Sequence, residues 1–97
     1  MTDLTVTNSR DADGTPTLTA TGEIDLSNVA EFAGALAEGV GAGTPLTVDL
    51  TGVAYLDSAA LNALFTHAGQ IRIVAGRLLL PVLRICGLTE LTTVVQR

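Results

Sequence analysis

The chain has 97 residues, which leaves room for one domain of ordinary size and none for a second. Its 47% hydrophobic and 15% charged side chains suit a packed core rather than a disordered chain, and 3% aromatics supply no stacking platform for single-stranded nucleic acid. The net charge is −5, Lys is absent and all five basic residues are Arg, which argues against sequence-independent binding to nucleic-acid phosphates.

One cysteine, Cys86, rules out an intramolecular disulfide and a Cys-only metal site. The first residues show no basic region followed by an apolar stretch, so no secretory leader is expected. The apolar stretch from Ile71 to Cys86 contains Arg72, Arg77, Arg84 and Pro81 and reads as folded core rather than a membrane span. A soluble, cytoplasmic domain is the expectation.

Leu4 to Asn8 forms a first, weak strand, and Asp11, Asp13 and Gly14 supply turn chemistry for a hairpin. Thr15, Thr17, Thr19 and Thr21 alternate with Pro16, Leu18 and Ala20, the period of a half-exposed second strand ending near Ile24. Ser27 and Asn28 are N-cap types with Glu31 placed as in a capping box, and Val29, Phe32, Ala33, Leu36 and Val40 then mark one helical face. Gly39, Gly41 and Gly43 end that helix. Leu46, Val48 and Leu50 alternate with Thr47 and Asp49 in a third strand, and Thr51 to Tyr55 lead on to Asp57 and Ser58.

A second helix begins there, with Leu61, Leu64, Phe65 and Ala68 as its buried face and Gly69 as its stop. Ile71 to about Ala75 reads as a fourth strand. Pro81 restricts the last helix to a start no earlier than about Leu78, with an end at Gly87. The alternative runs helix two on to Ala75 and makes Arg77 to Leu80 the strand; Gly69, costing about 1 kcal/mol inside a helix, favours the first reading. Thr92 to Val95 adds a final edge strand. The order ββαβαβα(β) predicts an α/β fold: a small mixed sheet of four to five strands with helices packed against it.

Asp57, Ser58 and His67 include the three residue types of a hydrolytic triad, but nine helical positions separate Ser58 from His67, about 13 Å of rise and a half-turn of facing. His67 is read as a solvated surface residue. The glycines at 39, 41 and 43 follow a helix and precede a strand, the reverse of a dinucleotide fingerprint, and no Lys completes a P-loop. Cys86, among Leu83, Ile85 and Leu88, is read as a small core residue, and Asp11 and Asp13 as turn residues. The Asp57–Ser58 pair has two readings. Both are good N-cap types that satisfy helix N–H groups without further function; alternatively, the hydroxyl is exposed where the positive end of the helix dipole can accommodate a phosphoryl group.

The segment Val48-Asp49-Leu50-Thr51-Gly52-Val53-Ala54-Tyr55-Leu56-Asp57-Ser58-Ala59-Ala60-Leu61 resembles the signature of STAS domains of the bacterial anti-sigma factor antagonist family. Gly22-Glu23-Ile24-Asp25-Leu26 is similar to that family's GEIDL segment, and Cys86-Gly87-Leu88-Thr89-Glu90-Leu91 to its C-terminal TGLxxL turn. The resemblance spans essentially the whole chain and implies a single STAS domain over residues 1–97. It implies that Ser58 is a phosphoacceptor, with Asp25, Asp57, Ser58, Ala59, Ala60 and Asn62 forming a partner surface.

The implied partners are an anti-sigma factor with serine kinase activity and a serine phosphatase, with no nucleic acid, membrane or cofactor and no enzymatic activity of the chain's own. The runner-up is a constitutive STAS subunit of a multiprotein complex such as a lipid-transport ATPase. Ala59 and Ala60 depart from the Ser or Ala, then Gly, of many members, and Ala60 is expected to place a Cβ where a partner would approach. Residues 1–57 hold nine of the ten acidic side chains and one Arg, whereas residues 58–97 hold four Arg and Glu90, so an acidic surface is expected around Asp25 and Asp57.

Overall fold

A computed structural model describes residues 3–41 and 44–97. Gly43, expected in the loop after the first helix, lies outside the described residues. In chain order the elements are β1 (Leu4–Arg10), β2 (Pro16–Ile24), α1 (Val29–Gly39), β3 (Leu46–Leu56), α2 (Ser58–Thr66), β4 (Ile71–Ala75), α3 (Leu80–Ile85) and β5 (Thr93–Gln96). Short 3₁₀ turns occupy Ala68–Gln70 and Leu88–Glu90. The expected α/β order holds, with five strands.

The sheet order follows the chain, β1-β2-β3-β4-β5, with β1 antiparallel to β2 and every other pair parallel. Strand alternation separates its two faces. Asn8, Leu18, Val48, Ile73 and Val94 form one cross-strand row on the helix-covered face. Ser9, Thr17, Thr47, Arg72 and Thr93 form a neighbouring row on the opposite face. The threonine pattern of β2 is thus the water-facing half of a sheet covered on one side. Beside that row, Arg97 pairs with Asp49 at 3.4 Å.

Under the helices, Leu18, Ile24, Phe32, Leu36, Leu46, Val48, Leu50, Leu64, Ile73, Leu83 and Leu88 are fully buried. Each contributes about 1.5–3 kcal/mol of burial before the entropy of ordering is counted. In α1, Phe32, Ala35 and Leu36 are buried while Val29, Ala33 and Val40 are only partly so; Ala35 joins the core because α1 lies against both the sheet and α2.

The structure departs from the sequence reading at several elements. The hairpin strand β1 runs on to Arg10, paired with Pro16. The capping box at α1 does not form: Asn28 is the N-cap residue, yet its side chain makes no cap bond and Glu31 is exposed. Asn28 instead accepts from the Asp25 N–H at 2.9 Å and donates to the Glu23 carbonyl at 2.9 Å, tying the turn to the end of β2.

The largest difference is β3, which continues through Thr51–Tyr55 to Leu56. Its pairing with β2 slips twice: Thr19 faces Asp49 but Thr21 faces Gly52, and Gly22 faces Val53 but Glu23 faces Tyr55. Each slip is a bulge that places one extra residue on β3. The inward positions therefore step from a period of two (Leu46, Val48, Leu50) to a period of three (Val53, Leu56), which removes the alternation by which a strand is recognised.

Of the two readings of the second half the first holds, although helix two ends before the expected Gly69 stop and Ala68–Gln70 tightens into a 3₁₀ turn. Helix two stops at Thr66, Ile71–Ala75 is a strand, and Arg77–Leu79 is a turn leading into α3, so the alternative with a strand at Arg77 to Leu80 is overturned. Pro81 sits in the first turn of α3, where its missing N–H costs no helical bond, and Gly87 follows the helix at φ 88°. The edge strand begins one residue later than expected, because the Thr92 hydroxyl donates to the Ile71 carbonyl at 2.6 Å instead.

Gly22 has φ 107°, and a Cβ there would stand 2.1 Å from the Asp3 carbonyl oxygen. We predict that Gly22→Ala lowers stability by about 1–3 kcal/mol in urea unfolding. In the β1–β2 turn, a hydrogen bond shared with the Asp11 carboxyl, followed by those from the Thr15 hydroxyl and N–H, lowers the Asp13 pKa from 3.8 to about 2. Folding therefore favours the Asp13 carboxylate: its contribution is present above the unfolded value and is lost as pH falls through about 2. NMR titration of the side-chain carboxyl should give that midpoint, and an ordinary Asp midpoint would contradict the turn geometry.

Candidate functional site

The site is assembled where two parallel crossovers begin beside each other. β2 finishes at Ile24, whose carbonyl accepts from the Asp57 N–H at 3.2 Å, just beyond the end of β3. The Asp57 carboxylate then reaches in two directions. Oδ1 accepts from the Ala60 N–H at 3.1 Å as the N-cap of α2, and Oδ2 accepts from the Leu26 N–H at 3.0 Å in the β2–α1 turn. Its carbonyl accepts from Leu61 N–H at 3.1 Å. Asp57 is therefore both the cap that its residue type predicts and a clamp on a turn 31 positions earlier in the chain.

Asp25 organises the same turn. Its Oδ1 accepts from the Ser27 N–H at 2.9 Å and from the Ser27 hydroxyl, and its carbonyl accepts from Asn28 and Val29 N–H. Both carboxylates of the expected acidic surface are half-buried and engaged in hydrogen bonds.

Ser58 is the first residue of α2 and is exposed. No hydrogen bond holds its hydroxyl among the described residues. The helix behind it is nine residues long and directs its positive end at this position. Asn62, one turn on, is exposed, and Ala59 is half-buried. Ala60 is a correction: it is 0% exposed and belongs to the core, because α2 turns this position onto the sheet. Its methyl group therefore packs inward against the core.

Two surface residues escaped the sequence reading. Leu26 is 78% exposed beside the clamp, and Tyr55, just before it on β3, is 50% exposed. The available signal for Leu26 was an apolar side chain between Asp25 and Ser27 in a turn, where burial has no structural reason. For Tyr55 the signal was its odd position in the alternation of Leu46, Val48 and Leu50, which places it on the outward side. The surface around Ser58 is thus a hydroxyl and an amide beside apolar groups, with the carboxylates set below.

His67 lies at the far end of α2, as its C-cap residue, and offers no base to Ser58. It is half-buried rather than fully solvated, since its N–H bonds the Leu64 carbonyl at 3.2 Å as the chain tightens into the 3₁₀ turn. Cys86 is partly buried against the core and its thiol donates to the Leu83 carbonyl. Among the described residues no cluster of three or more His, Cys, Asp or Glu could hold a metal ion, and no helix is long and apolar enough to cross a membrane. A cleft of about 510 Å³ is lined by Thr51, Val53, Gly76, Arg77 and Leu78, none of them residues of the Ser58 surface.

The clamp is testable. Asp57→Ala should lower stability by about 1–2 kcal/mol in urea unfolding and speed hydrogen exchange at the Leu26 and Ala60 amides together. Loss of protection at Ala60 alone would show that Asp57 is an ordinary cap.

Comparison with known proteins gives a consistent picture. A family model described as "Mlab, STAS domain" matches residues 7–93. No curated protein sequence matches the chain. Among solved structures, an anti-sigma factor antagonist from Mycobacterium paratuberculosis superposes with a TM-score of 0.84 at 24% identity, over 96% of this chain and 86% of that one. A candidate antagonist from Thermotoga maritima gives 0.70 at 12% identity, over 95% and 86%. The STAS domain of an antagonist from Rhodobacter sphaeroides gives 0.53 at 16% identity, over 74% and 84%. These likenesses establish a shared fold, and the family match spans nearly all of the sequence: the chain belongs to the STAS-domain family.

Proposed function

We propose that this chain acts as an anti-sigma factor antagonist, a single STAS domain over residues 1–97 working in the cytoplasm and switched by phosphorylation of Ser58. The observation that carries the reading is the Ser58 hydroxyl itself: exposed, without an internal hydrogen bond, and held at the start of α2 on a frame that Asp57 fixes. The solved antagonists of the same fold lend support.

In this reading the unphosphorylated surface of Leu26, Tyr55, Ser58, Ala59 and Asn62 binds an anti-sigma factor, and a sigma factor is released. Asp25 and Asp57 shape that surface from below. The anti-sigma factor, as a serine kinase, transfers the γ-phosphoryl group of ATP to Ser58 Oγ: the bond to the β-phosphate breaks, ADP leaves, and the hydroxyl proton passes to solvent. The product carries about 1.5–2 negative charges at neutral pH. The α2 dipole tolerates that charge, but it is added beside two carboxylates and in the middle of a partly apolar contact, where it must be desolvated for the complex to persist. Binding then fails, and a serine phosphatase restores it.

A second reading, a constitutive STAS subunit of a complex such as a lipid-transport ATPase, draws on the matching family model, which carries the Mlab description. It uses the same surface without the covalent switch. Incubation with the cognate anti-sigma kinase and ATP should add one phosphate at Ser58 by mass spectrometry and none to Ser58→Ala. Ser58→Glu should weaken binding to the kinase by at least about tenfold in calorimetry, a change of about 1.4 kcal/mol. Unmodified Ser58 together with stable co-purification of a transport ATPase would overturn the first reading in favour of the second.

A further inference from the structure

Outside the Ser58 surface, the most exposed apolar side chain among the described residues is Ile85, at 87%, and Leu78 is exposed to 74%. Val82, also exposed, stands between them. Backbone bonds from Leu80 to Gly76, Leu83 to Leu79 and Cys86 to Val82 make the turn and α3 one helical stretch, so Leu78, Val82 and Ile85 recur at i, i+4 and i+7 as a stripe pointing away from the core. The opposite side, Leu79, Leu80 and Leu83, is buried. Exposed Arg77 and Arg84, seven residues apart, flank one edge of the stripe, and neither has an acidic partner among the described residues. A solvated amphipathic helix needs one apolar face; this short segment has two.

A complement is present on the same molecule. A groove of about 400 Å³ runs between α1 and the open edge of β1, with Glu31 and Glu38 among its lining residues. These carboxylates are also seven residues apart, about 10 Å by helical rise, and have no cationic partner among the described residues. Beside them the helix presents only Ala30, Gly34 and Ala37, and a Cβ at Gly34 would meet nothing within 4 Å. Bulky apolar groups flanked by two guanidinium groups on one face thus match small residues flanked by two carboxylates, at equal spacing, on another.

We propose that the α3 stripe is a docking surface for a second copy of this chain, seating Leu78, Val82 and Ile85 against Ala30, Gly34 and Ala37 while Arg77 and Arg84 face Glu31 and Glu38. The two faces differ, so a single such contact joins two copies head-to-tail and leaves one face of each kind free. Each copy carries a net charge of −5, and the resulting repulsion keeps the association weak and dependent on concentration.

Sedimentation equilibrium over roughly 1 µM to 1 mM, a range that spans weak protein contacts, tests the pairing. The wild-type average mass should rise with concentration. Arg77→Glu with Arg84→Glu, Glu31→Arg with Glu38→Arg, and Ile85→Asp should each weaken association at least about tenfold, with far-UV circular dichroism confirming the fold. An equimolar mixture of the two charge-reversed chains should associate again, because the unaltered α3 of the groove variant meets the unaltered groove of the α3 variant, and the two reversed faces also match in charge. A monomer at every wild-type concentration overturns the proposal, as does association insensitive to either reversal. A mixture that stays monomeric overturns the pairing of these two faces.

Discussion

The carboxylate of Asp57 is the constraint on which the functional end of this domain depends. Two parallel strands, β2 and β3, finish side by side, and each hands the chain to a helix. Without a cross-link those two turns would be independent surface loops, the usual place for motion. Asp57 bonds the end of β2 through its N–H, the β2–α1 turn through Oδ2 and the first turn of α2 through Oδ1, so one residue holds three segments in register. Ser58 inherits its position from that clamp. The exposed hydroxyl thus directly follows the most firmly held residue of this end of the sheet.

The two bulges in β3 serve the same end. A regular strand would have carried its alternation on through Gly52, Ala54 and Leu56 toward the helices, whereas the observed strand turns Val53 and then Leu56 inward. The added residues lengthen β3 relative to β2 and bring Asp57 level with Ile24 and Leu26. Bulges commonly re-aim side chains near functional positions, and here they set where the clamp closes. The uncovered face of the sheet asks little of the sequence by comparison: threonines at alternating positions satisfy strand preference and water together.

Much of the architecture was legible in the linear sequence. The threonine alternation of β2, the helical spacing of Phe32 and Leu36, the Ile71–Ala75 strand and the place of Pro81 at the start of α3 all rest on interactions between near neighbours. Hydrogen bonds within a turn and side chains one helical turn apart are encoded by adjacent residues. The likeness of the Asp57–Ser58 segment to a family signature lay in the same reach. The illegible parts share a different character. Asn28 looked like a cap with Glu31 as its partner, but its amide is drawn to Glu23 and Asp25 because the end of β2 has open backbone groups nearby. Ala60 looked like surface because the family likeness put a partner beside it, yet the docking of α2 on the sheet turns it into the core.

The sequence by itself determined the element order, the α/β class, the family likeness and the position of Ser58 at a helix start, since periodicity and capping chemistry act over three or four residues. Only the tertiary structure decided that Asp57 clamps Leu26, that β3 continues through two bulges, that Ala60 is buried and Leu26 exposed, and that α3 presents a second apolar face. Each of these follows from parallel pairing between strands whose connection is a whole helix. The register that brings positions 26 and 57 to within a hydrogen bond is fixed by how the helices and sheet pack together, and no local pattern records it.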